Sequence, residues 1–175
     1  DAAALAHLAA QQAAGALRQR LVVAGRPDLP DSTDPRLHVR YAKLHLHDAR
    51  LPDYDATVRL IAASHAGGRP VAVHCVTLGE LVFALAALRE AGPLPGDRIE
   101  HASVAPDEQV AEIAALGLIV VTQPHFIAER GDAYLTDVDP DDRPWLYRAG
   151  AFLKAGVPLA AGSDALFGRG DPWAA

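Results

Sequence analysis

The chain has 175 residues, half of them apolar and 22% charged, with a net charge of −6, enough for one domain with a real core and too apolar for disorder. The absence of a Lys/Arg cluster excludes the electrostatic footprint of a nucleic-acid binder, and apolar runs too short to cross a bilayer exclude a membrane span, so the expected partner is a small molecule. Cys75 is the single cysteine, so no internal disulfide can form and a reducing, cytoplasmic setting is the expectation. The chain opens on Asp1 and contains no methionine, which reads as a piece of a longer protein.

Residues 1–14 are rich in Ala and Leu without a breaker, and Gly15 stands where a helix would end. Residues 20–24, Arg-Leu-Val-Val-Ala, read as a short strand, and Pro27, Pro30 and Pro35 break the following stretch into loop. Residues 39–47 alternate as a strand that sets Lys43, His45 and His47 on one face. A helix is expected over residues 54–66, with Gly67-Gly68 ending it, then a strand over 70–76. The rhythm repeats: helix 78–91 up to Gly92, strand 97–103, helix 106–116 up to Gly117, strand 118–123. A polar excursion over residues 128–144 precedes a helix around 145–155 and a last strand over 157–161. Strands alternating with helices predict an α/β fold with a parallel sheet covered on both faces.

Periodicity alone does not separate an open doubly wound sheet from a barrel. The placement of reactive residues favours the barrel, because His74, His101, Gln123 and Asp164 fall at the C-terminal ends of successive strands, where barrel enzymes build their sites. None of the strands ends in the Gly-rich phosphate turn that an open sheet would use. His74 and His101 lie about one βα unit apart, and neighbouring strands are only about 4.8 Å apart, so two imidazoles can converge on one ion. Asp164 would add a carboxylate from the last strand. Zinc hydrolases use such His and carboxylate sets and lower the pKa of a water to roughly 7. Singly, each residue has an ordinary structural reading: a hydrogen-bonded strand-end histidine, or a helix N-cap for Asp164. Glu100 is expected on the face opposite His101, paired with a helix or a basic neighbour. Lys43 beside His45 and His47 would repel a cation, and the residues by themselves leave its role open.

The segments Val71-Ala72-Val73-His74, Asp97-Arg98-Ile99-Glu100-His101, Thr122-Gln123-Pro124-His125-Phe126 and Ala161-Gly162-Ser163-Asp164-Ala165 together resemble the metal-dependent amidohydrolase superfamily. The branch they resemble includes N-substituted formamide deformylase and related metal-dependent hydrolases, and the likeness runs over residues 18–173. What the resemblance implies is a partial TIM (β/α)8 barrel over residues 1–175, comprising strands three to eight, with the N-terminal strands and the accompanying β-sandwich domain absent. It also implies a divalent metal, zinc as one or two ions that this segment alone need not retain, with Lys43, His74, His101 and Asp164 as ligands. Lys43 would be carboxylated, which turns a repelling cation into an anionic ligand. His45 and His47 would be pocket-lining or structural.

On this basis the intact protein is expected to be a hydrolase of amide-type, non-peptide C–N bonds. Asp164 would act as the general base, His125 or Gln123 would help hold the oxyanion, and Arg130 would meet a substrate carboxylate. Two other readings stand beside it: a catalytically silent scaffold or assembly module whose open strand edges are covered by a second copy, making a homo-oligomer, and a nucleobase-type deaminase.

Overall fold

The computed structural model describes residues 1–165, 167, 168, 170, 171 and 173. Six strands form one sheet: β1 (Leu21–Gly25), β2 (Leu37–His45), β3 (Val71–Cys75), β4 (Arg98–His101), β5 (Ile119–Thr122) and β6 (Leu159–Ala161). Their spatial order is the chain order, every pair is parallel, and the sheet curls into a half-barrel flanked by helices, the partial TIM barrel expected from the sequence. From β2 onward the strands follow one another in sequence and in space, returning through helices, and such right-handed crossovers curl the sheet in one direction.

The helices are α1 (Ala2–Ala13), α2 (Tyr54–Ala66), α3 (Leu78–Ala91), α4 (Asp107–Ala115), α5 (Phe126–Asp137) and α6 (Ala149–Lys154). Several bounds follow from capping. Asp53 accepts from the amide of Ala56 at the start of α2, and Thr77 and Glu80 close a reciprocal capping box on α3. Gly92 and Gly117, with φ of +80° and +66°, take the left-handed conformation that ends α3 and α4 and that a side chain would resist.

One continuous core joins the helices to the outer face of the sheet. It contains Ala42, Val71, Val73, Cys75, Ile99 and Val120 from the strands, and Ile61, Leu81, Leu85, Leu88, Ile113 and Phe152 from the helices. Each such Leu or Ile, fully withdrawn from water, stabilises the fold by about 1.5–3 kcal/mol. Because side chains alternate along a strand, the complementary positions face the hollow of the half-barrel. They include Tyr41, Lys43 and His45 on β2, Ala72 and His74 on β3, and Arg98 and Glu100 on β4, which the strand registers align in rows.

Three local features differ from the sequence expectations. The polar excursion begins as α5, a helix despite Gly131 and its charged centre. Its first residue, Phe126, is 1% exposed, and that burial together with the packing of Tyr134 against Tyr147 supplies what helical periodicity does not. The expected helix over residues 145–155 divides into a 3-10 turn (Arg143–Trp145) and α6, because the segment between them docks on the end of β4. Ala105 donates to the carbonyl of Trp145, and Tyr147 donates to that of Ser103. Glu100 does pair with a basic neighbour, Arg98, as expected, but on the inner face with His74 rather than against a helix.

No helix separates β1 from β2, in keeping with the Pro-rich loop read from the sequence. Asp31 holds that loop by accepting from the amides of Ser32 and Val39. Gln12 of α1 is buried and donates to the carbonyls of Gln19 and Arg36, pinning that helix across the start of both strands.

Candidate metal and substrate site

The C-terminal ends of β3 to β6 open onto a cavity of about 520 Å³. Its lining includes His74, His101 and Asp164, a largely apolar wall with Val104, Phe126, Leu146 and Phe167, and the phenols of Tyr134 and Tyr147. Burial pushes the Tyr147 hydroxyl well above its ordinary pKa, so it stays protonated.

His74 reaches this cavity by simple alternation, as the register partner of His45 and Glu100. His101 does not. By alternation it would share the outer face with Ile99, but its φ is +73° and that of Ala102 is +45°, a left-handed pair that breaks the strand and swings the imidazole over. Its ring centroid then lies 4.4 Å from that of His74, edge to face. Backbone of this kind in non-glycine residues costs of order 1–3 kcal/mol each and concentrates at functional sites. Asp164, three residues past β6, is also left-handed at φ +47°, and its carbonyl accepts from the amides of Phe167 and Gly168, closing a tight turn.

The electrostatics tie the set together. Burial, reinforced by His101, His45, Lys43 and His47, depresses the His74 pKa to about 3, so this imidazole is neutral and carries a free lone pair. Burial also lowers the pKa of His101, opposed by the Asp164 charge and by the hydrogen bond to Gln123. Lys43 sits half-buried on the inner face of β2. Desolvation lowers the pKa of its amine, while Glu100 and Asp164 pull it up and Arg98 pulls it down. Asp164 is thus felt at both Lys43 and His101, and neutral imidazoles are the form that binds metal.

These residues fit one side of a metal centre. The rings of His74 and His101 meet at 4.4 Å and Asp164 lines the same cavity; among the described residues, no group of three or more His, Cys, Asp or Glu side chains is arranged to hold an ion.

The remaining candidates lie further out. Gln123 is 4% exposed and its Oε1 lies 2.8 Å from Nδ1 of His101, so its amide meets a histidine rather than the cavity. His125 is buried outside the cavity lining, its ring 4.6 Å from that of Phe126. Arg130 lines the cavity, but its guanidinium lies 3.9 Å above the ring of Phe167 and donates to the Phe167 carbonyl at 2.6 Å. His45 stacks on His74 with centroids 4.1 Å apart, and His47 stacks on His45 at 5.2 Å, a contact that the shared strand face made legible in sequence only in part.

Comparison with known proteins adds the lineage. The putative amidohydrolase YtcJ of Bacillus subtilis (strain 168) is 30% identical over 124 residues, 69% of this chain and 23% of the relative. The chain therefore spans about a quarter of the length of the curated relative it matches. An uncharacterized metal-dependent hydrolase from Pyrococcus furiosus superposes with a TM-score of 0.82 at 25% identity, over 97% of this chain and 42% of that one. A second from Pyrococcus horikoshii OT3 gives 0.82 at 23% identity, over 98% and 41%, a likeness of fold. The model of the amidohydrolase family matches residues 38–175, the stretch that carries every side chain of the site, and the chain belongs to that family.

Proposed function

We propose that the protein hydrolyses an amide-type, non-peptide C–N bond in a small molecule with a metal-activated water, and that residues 1–175 form a segment of its catalytic barrel. The observation that carries this reading is the meeting of His74 and His101 at 4.4 Å over a cavity that Asp164 also lines. Family membership and the Pyrococcus furiosus likeness support it.

His74 and His101 would hold the ion through neutral imidazole nitrogens, with Lys43 completing the set once its amine, weakened as a base by burial, takes up CO₂. The donor set suits zinc, as one or two ions. A divalent ion there supplies Lewis acidity, lowering the pKa of a water to about 7 and polarising the scissile carbonyl. Asp164 takes the proton of the attacking water and passes it to the leaving amine. The apolar cavity wall excludes water from the substrate and favours an apolar acyl or amine group. Arg130 lines the same cavity and rests on Phe167, so to meet a substrate carboxylate it would exchange that contact for one with the substrate.

The test is hydrolysis of a panel of N-acyl and N-formyl amines by the full-length protein with added zinc. Asp164→Asn should lower kcat at least 100-fold with zinc content unchanged, and chelation should abolish turnover in the wild type. Equal rates for wild type and Asp164→Asn would sink the reading. The assembly-module alternative draws on the open edge at β1, where Val22 is 59% exposed. It predicts no stoichiometric metal in the full-length protein.

A further inference from the structure

A neutral imidazole carries one proton, and the partner of one nitrogen decides which nitrogen keeps it. Oε1 of Gln123 stands 2.8 Å from Nδ1 of His101, and both side chains are buried. The amide is boxed in on its other side. A Cβ at position 162 would come within 3.3 Å of Nε2 of Gln123 and 3.4 Å of Cγ1 of Val121, so Gly162 leaves the room in which the amide lies. Gly162 is itself held, its amide donating to the carbonyl of Thr122 at 3.0 Å. The left-handed turn at His101 and Ala102 takes the ring off the regular strand, where Gln123 is its hydrogen-bond partner.

We propose that Gln123 is a positioning residue that locks His101 in the Nδ1–H tautomer, so that Nε2 is always the lone-pair donor at the cavity. The glutamine of the Thr122-Gln123-Pro124-His125-Phe126 segment thereby acts through His101 and not on the substrate. The orientation of the amide is decisive, because a flipped amide would donate to Nδ1, drive the proton to Nε2 and close that nitrogen to any ion. The inference rests on the proposed metal centre only for the use to which the lone pair is put. Hydrogen-bond partners that fix a ligand histidine in this way contribute 10- to 100-fold in metal affinity.

The experiment uses the full-length protein with ¹⁵N-labelled histidine, zinc removed, and the His101 signal assigned by its loss in His101→Asn. The expected spectrum has the proton on Nδ1 and Nε2 bare; a protonated Nε2 in the neutral ring would overturn the proposal. Zinc affinity is then read by competition with a chromophoric chelator. Gln123→Leu, close in volume but without an acceptor, should weaken binding 10- to 100-fold and mix the tautomers. Gln123→Glu, which restores an acceptor, should keep the Nδ1–H form and bind within about threefold of wild type. Leu as good as Gln, or Glu as poor as Leu, would show a packing role instead. Should Gln123→Leu fail to fold, the wild-type spectrum decides alone. Failure of the wild type to bind zinc would count against the metal centre and leave the tautomer result standing on its own.

Discussion

Arg98 and Glu100 meet through Nε and Oε1 at 2.6 Å, two residues apart on one strand and on the same, inner face of the sheet. The Arg98 guanidinium also lies 4.0 Å above the ring of Tyr41, and the Glu100 charge raises the pKa of Lys43. The pair therefore places buried charge on the inner face beside Ala72 and His74. Removing one partner of a fully buried pair costs about 3–5 kcal/mol. With the Arg98 side chain 25% exposed, solvent recovers part of this, and Glu100→Gln should destabilise by about 2 kcal/mol. Urea denaturation checks it: the midpoint should fall at constant slope, and a loss under about 0.5 kcal/mol would contradict the pair's role.

Asp97, fully buried at the opposite end of β4, accepts from the amides of Val71 and Leu94 and from Nε2 of His65. Asp97→Ala would strand those donors at once and should cost at least about 3 kcal/mol. The site lies at the other end of the strands, so kcat/KM of the folded variant should stay within about twofold. A large loss of kcat/KM at unchanged stability would refute this division of labour.

Glu80 ties three backbone amides together. Oε2 accepts from Val76 at 2.6 Å and from Thr77 at 3.2 Å, and Oε1 from Asp48 at 2.9 Å. Val76 and Thr77 line the cavity, two and three residues after His74. Glu80→Ala should therefore lower stability by about 2–3 kcal/mol and raise KM several-fold, while Glu80→Gln keeps part of both. Thermal melts and Michaelis constants measured on the same preparations separate the two effects.

Gly168 has no room for a side chain. A Cβ there would lie 2.6 Å from the Ser163 carbonyl oxygen, 2.7 Å from Cε1 of Phe126 and 3.1 Å from Nε2 of His125. Gly168→Ala must displace the turn that carries Asp164, and kcat should fall at least tenfold. Gly170→Ala, with nothing among the described residues within 4 Å of its added carbon, is the matched control and should leave kcat unchanged.

Local chemistry made much of the fold legible. The bounds of α2 and α3 follow from Asp53, Thr77, Glu80 and the closing glycines, because caps act within a few residues of the chain they terminate. β3 and its terminal His74 follow from a short apolar run and simple alternation. By contrast, Glu129, Arg130, Gly131 and Asp132 weaken the periodicity of α5, and the burial of Phe126 and the contact of Tyr134 with Tyr147 support it as a helix.

What the amino-acid order determined by itself is the βα rhythm, the parallel sheet and the presence of reactive side chains at strand ends, since each depends on spacing along the chain. What tertiary structure alone decided is where those side chains point. The left-handed backbone at His101 reverses the alternation rule, so the histidine enters the cavity, on the side that Glu100 and Arg98 face by ordinary alternation. Likewise Gln123 meets His101 across neighbouring strands, and Arg130 is taken by Phe167 from beyond β6. Such pairings join residues far apart in sequence and depend on how the sheet curls, a property of the assembled fold that no local window contains.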